Sequence, residues 1–436
     1  MKKRLRLRLS LSFSLSLLLF TSCKFTNREF ADFTIGQEYS DSVFYVVSQR
    51  YSDLSNSLPG DCYLPGGLSV AECGMNVSDD NHTSTSSTSM TALIQALVGW
   101  GNRNKLLELS GIYASRRDFN TSLETDIMLS GKVILPDDRK FKRYIIVSHY
   151  TIGSNAEAPS NCFPLEGIFA QLGYCLIIPD YLGYGLTADS IHPYLQMVAT
   201  SYHVVSMYKA VKNYFESQGI RPEYDDVVLL GYSQGGATTM AVQYLIESYF
   251  TEIDIHRSYV GGGPYDVKAT YDRFVETNEA SYPVAVPLVV QGMVAGNPSL
   301  KVNLEQILQP RIYEHLDEWI NSKKYSTALI NSAIDTRKTD QILSPLGMDR
   351  TSDQVRELYK ELSNNSIINY DWEPSAPIYM LHSMEDETVP FESNAVRAKT
   401  RWANANIQYN FGMYGTHVNT CLRFLYTIKP ILDNDN

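Results

Sequence analysis

The sequence is poor in the side chains that hold metals and cradle phosphates. It has eight histidines and six cysteines in 436 residues, and none of them shows zinc-ligand spacing. It contains neither a Gly-x-x-x-x-Gly-Lys-Ser/Thr loop nor a Gly-x-Gly-x-x-Gly turn after a strand, which removes the usual nucleotide cradles. No metal and no cofactor is therefore expected. Charge is sparse at 19% of residues and sums to −11. Five positive charges lie in the first 22 residues, and taking those five from −11 leaves a body at −16. A surface of that sign repels phosphate backbones, so nucleic acid is excluded as a partner. No internal repeat is present.

What remains is a composition for burial. Apolar residues make up 44% of the chain, which suits a globular protein with one large core and insertions, or two or three domains. The 30 tyrosines and 16 phenylalanines can wall a substrate cleft or build an ordinary core.

The N-terminus reads as an address. Met1 to Arg8 is basic, and Leu9 to Phe20 is an apolar run of about a dozen residues, too short to span a bilayer and suited to a secretory signal over 1–22. Leu19-Phe20-Thr21-Ser22-Cys23 resembles the lipobox of bacterial lipoproteins, in which the cysteine is lipidated. Cys23 is therefore expected to anchor the protein by lipid alone at the cell envelope, on the periplasmic or surface face of the outer membrane. Export without lipidation stays open, because Phe20 stands where an aliphatic residue is usual. Export permits disulfides. Cys62 and Cys73 flank the turn-rich Tyr63-Leu64-Pro65-Gly66-Gly67 and form the best pair, whereas Cys175 sits in an apolar strand run and reads as a buried free thiol.

Residues 23–120 read as an N-terminal extension packed on the core, with a polar run at 81–89 and a helical pattern from Met90 to Val98. From Thr125 strands alternate with helices. Ile127–Pro136, Tyr144–Ser148, Tyr174–Pro179, Asp226–Leu230 and His256–Val260 are strand runs. Between them, Val204, Tyr208, Val211 and Phe215 place one apolar stripe on a helix over Tyr202–Phe215. Continuous apolar strands between helices imply an α/β fold with a mostly parallel sheet covered on both faces. After Gly261-Gly262-Gly263-Pro264 come about a hundred residues with helical patterns, including Tyr313–Asn321 and Asp353–Leu362. Strands return at Pro377–His382 and Ile407–Phe411. The expected division is thus core over 121–266, a helical cap insertion over 267–370 and core again over 371–432.

Gly231-Tyr232-Ser233-Gln234-Gly235 sits where a buried strand meets a helix, the setting of a nucleophile elbow. Its glycines suit a crowded turn. A serine hydroxyl needs a positioned base, and only His256, His315, His382 and His417 follow Ser233. His256 enters a strand, His315 lies in a helical segment and His382 ends a strand. His417 lies in a loop just past the last strand and is the candidate base. The loop after the preceding strand offers Glu385, Asp386 and Glu387 as acids.

These features resemble the secretory lipase branch of the α/β-hydrolases. The resemblance rests on Gly173–Gly185, on His192-Pro193-Tyr194, on Gly231–Gly236 and on the order of elbow, Gly-Gly-Gly-Pro turn, long insertion, Asp386 and His417. It covers roughly 125–425. It implies an α/β-hydrolase fold whose helical cap precedes the acid-bearing strand. The spacing His382-x-x-x-Asp386-x-x-Val389-Pro390 resembles the acid loop of that superfamily and selects Asp386, with Glu385 the alternative. Backbone N–H groups for the oxyanion are expected from Gln234 and from Thr151 or Tyr150, since Tyr150 replaces the glycine of the family's usual His-Gly-Thr. Asp180 is expected to tie its own loop together. The implied activity is hydrolysis of carboxylic esters, of small molecules or acylated glycans, through an acyl-enzyme. A prolyl or dipeptidyl serine peptidase on the same fold and a non-catalytic binding protein are the competing readings.

Overall fold

The computed structural model describes residues 43–71, 97, 101–116 and 126–435. The expected signal, Cys23, Cys73, the polar run and the helix at 90–98 lie outside the described residues, apart from Leu97. Nine strands form one sheet: β1 (Phe44–Asp53), β2 (Lys105–Arg116), β3 (Asp126–Pro136), β4 (Tyr144–Ser148), β5 (Cys175–Pro179), β6 (Val227–Tyr232), β7 (Ile255–Gly261), β8 (Ile378–Ser383) and β9 (Ile407–Gly412). Their order is β1-β2-β3-β5-β4-β6-β7-β8-β9. β5 to β9 are parallel to their neighbours through β4, and β1, β2 and β3 extend the sheet antiparallel.

The central strands are buried on both faces, which is why they read as unbroken apolar runs. Alternate residues serve opposite layers. Tyr144, Ile146, Val227 and Leu229 pack under α1 (Met197–Ser217) and α2 (Gln234–Tyr249). Ile145, Val147, Val228 and Leu230 face the other layer, where the C-terminal helix, residues 417–433, contributes Leu422, Leu425 and Ile428. The expected stripe Val204, Tyr208, Val211 and Phe215 lies on α1 and is buried throughout.

The described part of the N-terminal extension is not an appendage. β1 and β2 pair along almost their whole length, from Phe44↔Tyr113 to Asp53↔Lys105, and continue the sheet. Glu108 on β2 ties this region together. Its carboxylate accepts from Lys132 Nζ of β3 at 2.8 Å and from Arg50 Nε of β1 at 2.7 Å.

Between β7 and β8 the chain forms α3 (Val267–Thr277), α4 (Ala285–Gly296), α5 (Thr327–Ile334) and α6 (Asp353–Asn364), with shorter turns among them. The single helix expected over Tyr313–Asn321 is two pieces, Pro310–Glu314 and a π-helical turn Leu316–Asn321, parted at His315. The apolar core of this block is continuous with Val260 of β7, Ile378 and Met380 of β8 and Met240 of α2, and Glu361 of α6 adds a polar latch. That buried carboxylate accepts from Gln196 Nε2 at 2.9 Å and from Asn297 Nδ2 at 3.0 Å. The C-terminal helix is α7 (His417–Asp433). Among the described residues, no helix is long and apolar enough to cross a membrane. Cys62, Cys162, Cys175 and Cys421 are buried and free.

Candidate active site

Four loops converge beyond the carboxyl ends of β4, β6, β8 and β9, the edge where open parallel sheets bind ligands. Ser233 occupies the turn between β6 and α2 at φ 57° and ψ −124°, a conformation that costs a non-glycine residue free energy. The surroundings enforce it. Its N–H donates to Gly261 O at 2.8 Å. A Cβ on Gly235 would stand 1.9 Å from Ser148 O, and one on Gly231 would stand 2.2 Å from Gly235 O. The two flanking glycines thus let α2 press against β4 and β6, and that approach fixes the serine outward.

His417 follows β9 by five residues and is the first residue of α7, with Thr416 as its N-cap. It was expected in a loop; it stands at a helix start instead, which restrains its backbone. Tyr232 OH donates to His417 O at 2.7 Å and adds a second restraint. His417 Nε2 lies 2.7 Å from Ser233 Oγ, and His417 Nδ1 lies 2.6 Å from Asp386 Oδ2. The three sequence-selected residues are therefore brought into one hydrogen-bonded chain.

The three carboxylates after β8 divide their contacts. Asp386 is buried; its Oδ1 accepts from Thr388 N at 3.0 Å and Val389 N at 2.8 Å. Burial acts to raise its pKa, but the His417 charge and hydrogen bond, His382 and the Val389 N–H outweigh that and hold the carboxyl below its usual range. Glu385 is exposed and accepts from Gly415 N at 3.0 Å. Glu387 accepts from His417 N at 3.4 Å. Both flanking acids hold the backbone of the histidine loop, and Asp386 alone reaches the imidazole.

His382 lies fully buried behind this carboxylate. Its Nε2 is 2.9 Å from Val389 O and 3.6 Å from Asp386 Oδ2, and its Nδ1 has no hydrogen-bond partner. A carbonyl accepts, so Nε2 carries the proton, and burial keeps the ring neutral by lowering its pKa.

On the opposite side of Ser233, Gln234 opens α2, where the first backbone N–H groups have no intrahelical acceptor. Tyr150 and Thr151 follow β4 and are buried beside the serine. His192-Pro193-Tyr194, part of the family resemblance with no task evident from sequence, has two in the structure. Tyr194 OH is 2.8 Å from Thr151 Oγ1, and His192 Nε2 is 2.8 Å from Gln234 Nε2. His192 Nδ1 donates to Leu182 O at 2.7 Å, so Nε2 accepts from the Gln234 amide, and burial pushes this imidazole down to about 3. The motif thus braces both loops expected to supply oxyanion donors. Asp180 is fully buried and accepts from Ser130 Oγ of β3 at 2.5 Å and Ser160 N at 2.7 Å, so its side chain ties the loop to neighbouring segments and not to itself as expected.

A mainly apolar cleft of about 710 Å³, counted to its open mouth, lies over Ser233 and His417. Val267, Tyr271 and Phe274 of α3 and Val289 of α4 line it, together with Pro65 and Gly66. Among the described residues, no group of three His, Cys, Asp or Glu side chains is placed to hold a metal ion.

A buried strand–turn–helix serine with downstream acid and histidine, on a mostly parallel nine-stranded sheet, defines an α/β-hydrolase of the lipase type. The secretory lipase family matches residues 165–423, more than half of the chain, and the protein belongs to that family of carboxylic ester hydrolases. Solved structures agree on the fold. The rice cell wall degrading esterase LipA of Xanthomonas oryzae is 19% identical, with a TM-score of 0.64, covering 81% of this chain and 94% of its own. Lipase A of Candida antarctica is 18% identical, with a TM-score of 0.53, covering 72% of this chain and 73% of its own. No curated protein matches the chain.

Proposed function

We propose that Ser233, His417 and Asp386 hydrolyse carboxylic esters through an acyl-enzyme. The observation that supports this most is the unbroken chain from Ser233 Oγ to His417 at 2.7 Å and on to Asp386 at 2.6 Å. Ser233 attacks the ester carbonyl while His417 Nε2 takes its proton. Asp386, ionised, holds the Nδ1–H tautomer and stabilises the imidazolium without taking the proton itself. The tetrahedral oxyanion is received by the N–H of Gln234 and by that of Thr151, with Tyr150 the alternative donor. Collapse expels the alcohol, protonated by His417, and a water activated by the same imidazole releases the acid.

The helices between β7 and β8 act in this reading as a cap over Ser233, and their apolar side chains take the hydrocarbon part of the ester. Small-molecule esters are the expected substrates. The likeness to LipA, a rice cell wall degrading esterase, makes acylated glycans a second class to test. The protein is exported behind its 1–22 signal and held at the envelope by lipid on Cys23.

The test is a panel of p-nitrophenyl esters graded by acyl length, with sugar acetates and aminoacyl-prolyl amides beside them. Ester turnover together with fluorophosphonate labelling is expected, both lost by about 10⁴-fold or more in Ser233→Ala. Turnover of the amides alone would refute esterase action, and absence of both labelling and turnover would make the fold a binding scaffold. Metabolic labelling with a palmitate analogue, lost in Cys23→Ser, tests the anchor.

A further inference from the structure

The family match begins at residue 165, yet two residues one hundred positions earlier line the cleft over Ser233. They belong to a tight hairpin. Tyr63 and Ser69 pair antiparallel, Leu64 N donates to Leu68 O at 2.9 Å, and Gly67 N donates to Leu64 O at 2.9 Å. Gly66 and Gly67 turn its tip at φ +99° and +87°, where a side chain would be strained.

This tip is clamped from two directions. Tyr150, in the candidate oxyanion loop, donates its hydroxyl to Tyr63 O at 3.2 Å. On the cap side, Ala328 N of α5 donates to Gly66 O at 3.3 Å. Gly67 fits only because it lacks a side chain, since a Cβ there would come within 2.3 Å of Ser326 Cβ and 2.8 Å of Glu157 Oε1. At the adjacent Gly66 the reverse holds, and a Cβ would meet nothing within 4 Å. The hairpin is pinned by one glycine and leaves open space at the other, next to Pro65 on the cleft wall.

We propose that the Tyr63–Ser69 hairpin is a specificity-determining wall of the substrate cleft, and that Pro65 and Gly66 set how bulky an ester arm can lie on that side of Ser233. The proposal rests on Ser233 being the nucleophile. An ester presents two arms to the cleft. Val267, Tyr271, Phe274 and Val289 of α3 and α4 line the same cleft as Pro65 and Gly66; in the proposal the helices take one arm, and the hairpin, a low wall of proline and backbone, takes the other. A wall that small admits bulk, and a larger residue placed there removes that room.

The experiment uses the full chain and two ester series. One keeps a small alcohol and lengthens the acyl group; the other keeps acetate and enlarges the alcohol from methyl to naphthyl. Pro65→Trp is expected to lower the kcat/KM ratio of the bulkiest to the smallest member by about 10-fold or more in one series only, the scale at which pocket fit discriminates. Pro65→Ala is expected to move the same series the other way. Active-site titration with a fluorophosphonate counts competent enzyme, so a misfolded Trp variant is recognised and the Ala variant decides. Equal change in both series, or no change in either, overturns the proposal. Wild-type protein that neither reacts with the probe nor turns over any ester would instead overturn the reading of Ser233.

Discussion

Replacing Asp386 by asparagine tests the acid assignment most directly, because the geometry dictates how the amide must sit. Oδ1 of Asp386 accepts two backbone N–H groups, from Thr388 and Val389. In Asp386→Asn the amide oxygen has to keep that place, since an NH₂ group facing two N–H donors would leave buried donors unpaired. The NH₂ group is then directed at His417 Nδ1, 2.6 Å from the present Oδ2. A donor there makes Nδ1 the acceptor and moves the imidazole proton to Nε2, which faces Ser233 Oγ at 2.7 Å. The base can no longer accept the serine proton. An inverted tautomer of this kind costs about 10⁴ in kcat in serine hydrolases generally, equal to about 5.5 kcal/mol of barrier. The assay is kcat on p-nitrophenyl butyrate at neutral pH, with the far-ultraviolet spectrum and thermal midpoint as controls, since the side-chain volume hardly changes. Glu385→Gln provides the contrast: that side chain accepts from Gly415 N at the exposed rim, the glutamine amide oxygen still accepts there, and a loss below about 10-fold is expected on removing one exposed charge. An Asp386→Asn enzyme within 10-fold of wild type, or a Glu385→Gln enzyme that falls further, would refute the assignment.

Two further outcomes follow from buried groups near the site. His382→Phe removes the Nε2–H that holds Val389 O, so the acid loop is freed to shift; kcat should fall by about 10²-fold with little change in KM. His382→Gln keeps a donor in reach and should recover most of it, and equal loss in both variants would argue against the hydrogen bond as cause. Burial pushes the Glu157 carboxyl up to about 7 against hydrogen bonds from Ser154 and Gly153 that lower it. A folded value above the unfolded one means the native state binds the proton more tightly. Its contribution is therefore full below the unfolded pKa near 4.5 and lost as pH rises through about 7. Glu157→Gln should flatten the fall in thermal midpoint between pH 5 and 7.5 relative to wild type, and an unchanged slope would count against a buried, proton-holding Glu157.

The parts legible in the sequence share one property: their signal is local or scarce. β4, β5 and β6 are buried on both faces and so appear as continuous apolar runs. His417 stood out because so few histidines follow Ser233, and the elbow glycines because no other residue fits against Ser148 and Gly235. β1 and β2 did not stand out. Arg50, Gln49 and Ser48 interrupt the first, and the second carries Glu108, whose partners Arg50 and Lys132 lie 58 and 24 residues away. A buried charge looks like a surface residue until its partner is found. The same holds for His192 and Gln234, 42 positions apart, whose contact no spacing rule anticipates. The block between β7 and β8 was legible as helical but not in detail, since a π-turn after His315 has nearly the same apolar pattern as the helix expected there.

The position of His417 at the start of α7 has a consequence in time. Its imidazole is placed only once Cys421, Leu422, Leu425 and Ile428 of that helix are buried against the sheet, and those residues follow every strand of the sheet in chain order. A nascent chain can form the elbow around Ser233 long before it owns a base. In the proposed mechanism hydrolytic competence is then coupled to docking of that helix.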